Sequence, residues 1–249
     1  MTTSMLAALL VTLVGGLTSG LAGFGFALVC VPLLLQIYPP QTVVTISILL
    51  SLLTGWIVLP GVWRQIQLRT VAGLLPWAVG GIGIGALLLR ILDVTQIKLV
   101  ASLAVAGFAL SMLRGWTPPG AESRFATVVA GATSGTLNAM VGVAGPPVVM
   151  LFVARKFPPH AFRTSIVAYF IAIDIAALAI LIPAGEIGWT ETRTALLLLP
   201  AAVIGTFAGR ALVSRLQIAA FQRLVLMMVI VTGLLGVADA LWSVAGGRR

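Results

Sequence analysis

The groups best suited to hold a solute gather at two glycine-rich breaks in an apolar chain. The first is Gly23-Phe24-Gly25, shortly after Thr18 and Ser19. The second is Gly142-Val143-Ala144-Gly145-Pro146-Pro147, shortly after Thr133, Ser134 and Asn138. Glycine frees the backbone, and proline cannot donate to the preceding turn. A helix that restarts at such a break leaves its first amides without a partner one turn earlier. Those amides run from about Gly25 to Leu28 and from about Val143 to Val148, and Pro146 and Pro147 suit a first helical turn. A helix N-terminus of this kind carries partial positive charge and favours an anion. The nearby hydroxyls and the Asn138 amide add hydrogen bonds. Such a site needs no lysine or arginine, which suits a solute that must leave again. The competing reading for the threonine–serine pairs is bonding to their own helix backbone. It fits Asn138 less well, because a buried amide needs several partners.

Asp174 is the acidic residue near the middle of an apolar span, in Tyr169-Phe170-Ile171-Ala172-Ile173-Asp174. An intramembrane carboxyl is a candidate proton carrier for coupled transport, or a structural partner inside the bundle. Other reactive residues offer less. Cys30 is the single cysteine, which excludes an intrachain disulfide and a redox pair. His160 stands beside Arg155, Lys156 and Arg163 with no cysteine or acidic cluster, so no metal site and no cofactor is expected. Gly80-Gly81-Ile82-Gly83-Ile84-Gly85 resembles a nucleotide loop only superficially. It lies inside an apolar span, and Gly205 and Gly209 repeat its four-residue spacing, as close helix packing requires. No nucleophile–base pair points to an enzyme.

Composition places these residues in a membrane. Of the 249 residues, 60% are hydrophobic and 8% charged. The mean hydropathy is +1.15. A water-facing domain carries about 25% charged residues. The net charge of +9 does not imply nucleic acid, since the basic residues sit singly or in pairs between apolar stretches. The start, Met1 to Leu21, lacks a basic residue ahead of its apolar run and is read as mature protein.

Simple spans are expected at about 42–60, 70–90, 97–113, 163–183, 194–213 and 221–243. Trp56, Trp63, Trp77, Trp116, Trp189 and Trp242 lie near their ends, as interfacial anchors do. Segments 5–37 and 124–155 do not fit this scheme. As one helix each would reach about 48 Å, against a hydrocarbon core of about 30 Å. The expected solution is a pair of half-helices meeting inside the membrane. The alternative is one kinked, tilted helix.

Charge separates these two. If 124–155 enters and leaves on one side, then Arg64, Arg69, Arg114, Arg124, Arg155, Lys156, Arg163, Arg210, Arg215 and Arg223 share a face. The other face holds Arg90, Lys98, Arg193, Arg248 and Arg249, with Asp93, Glu186 and Glu191. That asymmetry marks a cytoplasmic side, and a full crossing would erase it.

The chain is also internally repeated. Gly16-Leu17-Thr18-Ser19-Gly20 matches Gly131-Ala132-Thr133-Ser134-Gly135, and an ungapped run carries the match on to Pro32 and Pro147. Pro39-Pro40-Gln41 then matches Pro158-Pro159-His160, Leu75-Pro76 matches Leu199-Pro200, and Lys98 falls opposite Arg223. The expected fold is an all-α polytopic membrane protein of two inverted repeats, 1–115 and 122–249. Each repeat is a re-entrant, broken helical hairpin plus three transmembrane helices. An odd number of crossings per repeat turns the second upside down and leaves both termini facing outward.

The paired Gly-x-Thr-Ser-Gly elements, their downstream glycine and proline, and the repeated Leu-Pro spans at 75–85 and 199–209 resemble the sulfite exporter TauE/SafE family. The resemblance covers nearly the whole chain. It implies a permease of the cell inner membrane for small anions such as sulfite, organosulfonates or carboxylates. The first copy has Cys30-Val31-Pro32 where that alignment gives Gly145-Pro146-Pro147, so the half-sites should differ. On these grounds the candidate anion site comprises Thr18, Ser19, Gly23, Phe24, Gly25, Thr133, Ser134, Asn138, Gly142, Val143, Gly145 and Pro146, with Asp174 a possible coupling residue. An anion channel, or a membrane-embedded assembly or redox accessory protein, are the competing classes; the lack of a cysteine pair argues against the last. The expected partners are a small anion and the lipid bilayer.

Overall fold

A computed structural model describes residues 3–59, 66–116 and 120–212. Within them the chain forms α1 (Thr3–Ala22), α2 (Phe26–Leu34), α3 (Pro40–Val58), α4 (Leu68–Ile91), α5 (Val94–Leu113), α6 (Arg124–Val141), α7 (Gly145–Ala154), α8 (Pro159–Leu181) and α9 (Trp189–Leu212). The described residues contain no strand. Six of these helices, α1, α3, α4, α5, α8 and α9, are long and apolar enough to cross a bilayer. The chain is a multi-pass membrane protein. The expected span at 221–243 lies outside the described residues, as do Arg64, Arg215, Arg223, Arg248, Arg249, Trp63 and Trp242.

Local chemistry sets the helix starts. Pro40 and Pro159 open α3 and α8, where a missing amide costs nothing. Asp93 and Gln96 form a reciprocal cap on α5. The Ser123 hydroxyl accepts from the Ala126 amide at 3.1 Å and starts α6.

The two long segments break where glycine was expected to break them, and both fold back. Residues 23–25 separate α1 from α2, and residues 142–144 separate α6 from α7. The Cys30 thiol, on α2, donates to the Val11 carbonyl of α1 at 3.6 Å. Further along, the Tyr38 hydroxyl lies 3.7 Å from the Met5 sulfur. In the second hairpin the Arg155 guanidinium, just past α7, donates to the Ala121 carbonyl at 2.9 Å, ahead of the start of α6. Neither segment is a straight rod. The arms are unequal, however. α1 has 20 residues and α6 has 18, against 9 for α2 and 10 for α7. At about 1.5 Å per residue, the leading arm is nearly a full membrane depth, not half of one.

Small residues bring α6 against α4, and α1 against α9. A side chain on Gly131 would press on the Leu74 carbonyl, and one on Gly135 on the Ala78 carbonyl. In the other pair, Gly16 meets Ala202 and Gly20 meets Thr206. Both pairs therefore run parallel. The return contacts agree: Gly81 meets Ala132 and Gly85 meets Thr136, while Gly205 meets Leu13 and Gly209 meets Leu17. A Cβ on Gly80 or Gly83, in the same run, would meet nothing within 4 Å among the described residues.

These contacts correct the sequence register of the repeat. Leu75-Pro76 matching Leu199-Pro200 makes Ala78 equivalent to Ala202. The glycine packed on each is Gly135 and Gly16. Gly16 is thus the counterpart of Gly135, not of Gly131, and the ungapped match from 16–32 to 131–147 is wrong by one helical turn. The corrected register pairs Gly23 with Gly142, Ser19 with Asn138, and Pro39-Pro40 with Pro158-Pro159. Pro32 lies inside α2, whereas Pro147 lies in the first turn of α7. Their match was a coincidence of spacing.

This packing predicts a stability contrast. Gly135→Ala drives a methyl into the Ala78 carbonyl and should destabilise the protein by about 1–3 kcal/mol. Gly83→Ala meets open space and should be neutral or slightly stabilising. Thermal unfolding of the two variants in detergent checks this.

Basic residues gather at one end of the bundle. Arg69, Arg124 and Arg155 border a single groove. At the same end the Gln67 amide, beside α4, donates to Ser165 Oγ of α8 at 2.9 Å. The Arg210 guanidinium, late in α9, donates to the Ile57 carbonyl, late in α3. At the other end Arg90 pairs with Glu186. This division agrees with the charge sorting of a hairpin at 124–155.

Candidate functional site

Both breaks present an uncapped helix start. Gly25 precedes α2 with φ 105°, which only glycine adopts readily, and no side chain caps the helix. The first helical bond there runs from the Val29 amide to the Gly25 carbonyl, so the amides of Phe26, Ala27 and Leu28 precede it. Ala144 precedes α7, also with no side-chain cap. Here Pro146 and Pro147 have no amide hydrogen, and Gly145 is left as the leading donor. The half-sites differ, with three consecutive amides on one side and chiefly that of Gly145 on the other. The reason is not the one the sequence suggested: the corrected register sets Phe26-Ala27-Leu28, not Cys30-Val31-Pro32, against Gly145-Pro146-Pro147.

The break before α7 is shaped by the end of α6. Gly142, φ 79°, donates to the Asn138 carbonyl at 2.9 Å, and the Val143 amide reaches the Leu137 carbonyl at 3.2 Å. Ser134 Oγ then donates to the Ala144 carbonyl at 2.6 Å while accepting from the Tyr169 hydroxyl at 2.8 Å. Tyr169 is fully buried on α8. The strand of hydrogen bonds from Tyr169 through Ser134 pins the second break to the bundle.

The two breaks meet at one cavity. Phe24, Gly25, Phe26, Ala27 and Leu28 line it from the first hairpin, and Gly142, Val143, Ala144 and Gly145 from the second. Ser19 and Asn138, counterparts in the corrected repeat, both line it, and Ser51, Phe170 and Asp174 complete the wall. No lysine or arginine among the described residues lines it. Its volume is about 30 Å³, room for a water molecule or two.

Asn138 and Asp174 are each 2% exposed. Asn138 Nδ2 donates to Asp174 Oδ1 at 3.1 Å. Among the described residues Asp174 Oδ2 has no hydrogen-bond partner, although the Ser51 side chain lies beside the same carboxyl. A buried polar atom without a partner is costly unless something occupies the space before it.

The tip of the first hairpin is held from α8. Arg163 Nη2 donates to the Gly20 carbonyl at 2.7 Å. Its stem lies under Gly23, where an added Cβ would come within 2.7 Å of Cγ. Phe24 meets the edge of Phe162 with ring centres 5.9 Å apart, and Phe162 in turn meets Phe152. Sequence reading counted Arg163 only as an orienting charge.

Of the residues singled out from sequence, Ser19, Phe24, Gly25, Asn138, Gly142, Val143, Gly145 and Asp174 line the cavity. Ser134 lies behind it, and Gly23 at the tip beside Arg163. Pro146 stands in the first turn of α7 without lining it. The Thr18 hydroxyl donates to Val14 and Gly15 in its own helix, and Thr133 to Val129 and Ala130. Thr133 also opens onto a separate groove beside Phe125 and Met150. With its hydroxyl so engaged, Thr18→Val should leave anion flux within about twofold of wild type, measured in proteoliposomes. Ser51 was missed. Its signal was position: it stands one turn before Gly55, the repeat counterpart of Asp174.

The chain matches the sulfite exporter TauE/SafE family over residues 8–235. It is 27% identical over 198 residues to the probable sulfite/organosulfonate exporter TauE of Cupriavidus necator, covering 76% of each chain. No solved structure gives a significant match. A match of this extent, on a multi-pass helical chain with paired broken hairpins, means that the protein belongs to the sulfite exporter TauE/SafE family.

Proposed function

We propose that the chain is a permease for small sulfur oxyanions, organosulfonates or related carboxylates, and that the cavity between its two breaks is the anion site. One observation carries this: uncapped starts of α2 and α7 line the same cavity, beside a buried amide and with no lysine or arginine among the described residues that line it. Two helix dipoles supply the positive potential, and the amides supply directional bonds. The exporter name of the C. necator relative supports the substrate class.

The halves, 1–115 and 122–249, act as inverted repeats about an axis in the membrane plane. The parallel pairings of α4 with α6 and α1 with α9 support this relation. Positive charge faces the cytoplasm, both termini face outward, and the membrane is the cell inner membrane. At about 30 Å³ the cavity has room for a water molecule or two, so a solute would enter it without its hydration shell. The two inverted halves then work as a carrier by alternating access. Export of a monovalent anion needs no coupling ion, since an inside-negative potential favours its exit by about 2.3 kcal/mol per 100 mV. Asp174 acts by holding Asn138: it accepts from Nδ2 and turns the amide toward the solute.

Flux of sulfite, sulfonates and carboxylates into liposomes containing the purified protein tests the reading. Saturable, counterflow-competent movement of at least one of these anions is expected. Absence of flux for all of them would overturn it.

A further inference from the structure

Away from the central cavity, the basic end of the bundle contains a groove of about 390 Å³ where α4 and α6 begin and α7 ends. We propose that this groove binds the phosphate of an anionic phospholipid headgroup. Arg69 and Arg124 stand in the first turns of α4 and α6, and Arg155 caps α7. The side chains of Arg69 and Arg124 are exposed, and none of the three arginines has a carboxylate partner among the described residues.

Arg155 is already oriented. Its Nε donates to Ala121 and one terminal nitrogen donates to Thr127 Oγ1 at 2.7 Å. The second terminal nitrogen remains for a ligand, and a guanidinium held in place suits phosphate. The parallel helices α4 and α6 start side by side here, so their dipoles add to the three charges. Membrane orientation alone calls for basic residues on one side. It does not call for three of them around one groove.

The lower wall explains why the phosphate belongs to a lipid. Deeper along the same helices the groove continues past Gly73 and Val128 to Trp77, which is 48% exposed. Gly73 leaves a channel there, with nothing nearer to its side-chain position than Thr127 Cγ2 at 3.9 Å. A free phosphate has no use for this apolar floor, whereas an acyl chain lies along it. Trp77 stands about 12 Å deeper along α4 than Arg69, at the depth of the acyl chain, and its ring offers that chain an apolar surface. Basic pockets between helices on the cytoplasmic side hold anionic headgroups on these terms. The site does not depend on the transport reading.

Native mass spectrometry of the full-length protein tests it, with phosphatidylglycerol and phosphatidylcholine offered in equal amounts. Wild-type protein should retain phosphatidylglycerol preferentially. Arg69→Gln with Arg124→Gln should reduce that preference by on the order of tenfold. These side chains are exposed, so the double variant should keep the wild-type unfolding midpoint in phosphatidylcholine micelles. Equal retention of the two lipids by wild type would overturn the proposal, as would an unchanged preference in the double variant. Displacement of phosphatidylglycerol by inorganic phosphate at millimolar concentration would overturn the lipid assignment.

Discussion

Gly145→Leu is expected to abolish anion flux, while Gly145→Ala leaves most of it. The position is at the start of α7, on the cavity wall, and a Cβ there would meet only Phe170 Cζ at 3.6 Å, an ordinary contact. Alanine therefore fits without moving a neighbour. Leucine adds three further carbons at a residue that lines the cavity, whose volume is about 30 Å³. They fill it and cover the leading amide of α7. The backbone at Gly145 is helical, so neither residue strains it. Both variants should fold, and paired flux and thermal-unfolding measurements distinguish a blocked site from a broken protein. Full transport by Gly145→Leu would place the solute elsewhere.

The second large effect concerns Asn138 and Asp174. Asn138→Ala removes the donor that we propose for the solute and strips Asp174 Oδ1 of its partner, with Oδ2 already lacking one among the described residues. Leaving such a group unsatisfied costs about 1–3 kcal/mol of stability. Flux should fall more than about tenfold, since a bond to a charged solute is worth about 1.5–3 kcal/mol. Asp174→Asn behaves differently. Its carbonyl oxygen still accepts from Asn138 Nδ2 and its shape is unchanged, so flux should stay within about threefold of wild type. Asp174→Ala should resemble Asn138→Ala, and the double alanine variant should lose little more than either single one. Loss of flux in Asp174→Asn, with a flattened pH profile, would instead make the carboxyl a proton carrier.

The breaks were legible because glycine and proline act locally. Gly23, Gly25 and Gly142 adopt positive φ wherever the rest of the chain goes. The hairpin at 124–155 was legible through charge, and Arg124 and Arg155 do meet at one groove. The register of the repeat was not. Within Gly-x-Thr-Ser-Gly the identities favour the wrong register: Gly16, Thr18, Ser19 and Gly20 all match Gly131, Thr133, Ser134 and Gly135, whereas one turn along only Gly16 keeps an identical partner, Gly135. Packing decides instead, because only Gly16 and Gly135 sit under Ala202 and Ala78. The error mattered for the site, since it hid the pairing of Ser19 with Asn138. Ser51 and Arg163 were hidden for another reason. A serine in an apolar span and an arginine at a span end look ordinary until the fold brings them to Asp174 and Gly20.

The lengths of the hairpin arms were also beyond sequence reading. Composition marked where each helix stops, but not how deep the stop lies. Contacts with α8 and α3 supply that. Gly23 rests on Arg163 and Val167, and Gly142 on Ser47 and Val44, each near the start of the helix it touches.

Selenite, the selenium analogue of sulfite, allows the anion to be located directly by anomalous scattering from crystals of the purified protein. The account predicts one dominant selenium peak between the amides of Phe26, Ala27 and Leu28 on one side and Gly145 on the other, within hydrogen-bond reach of Asn138. A selenium peak elsewhere, with that cavity holding only water, would contradict it.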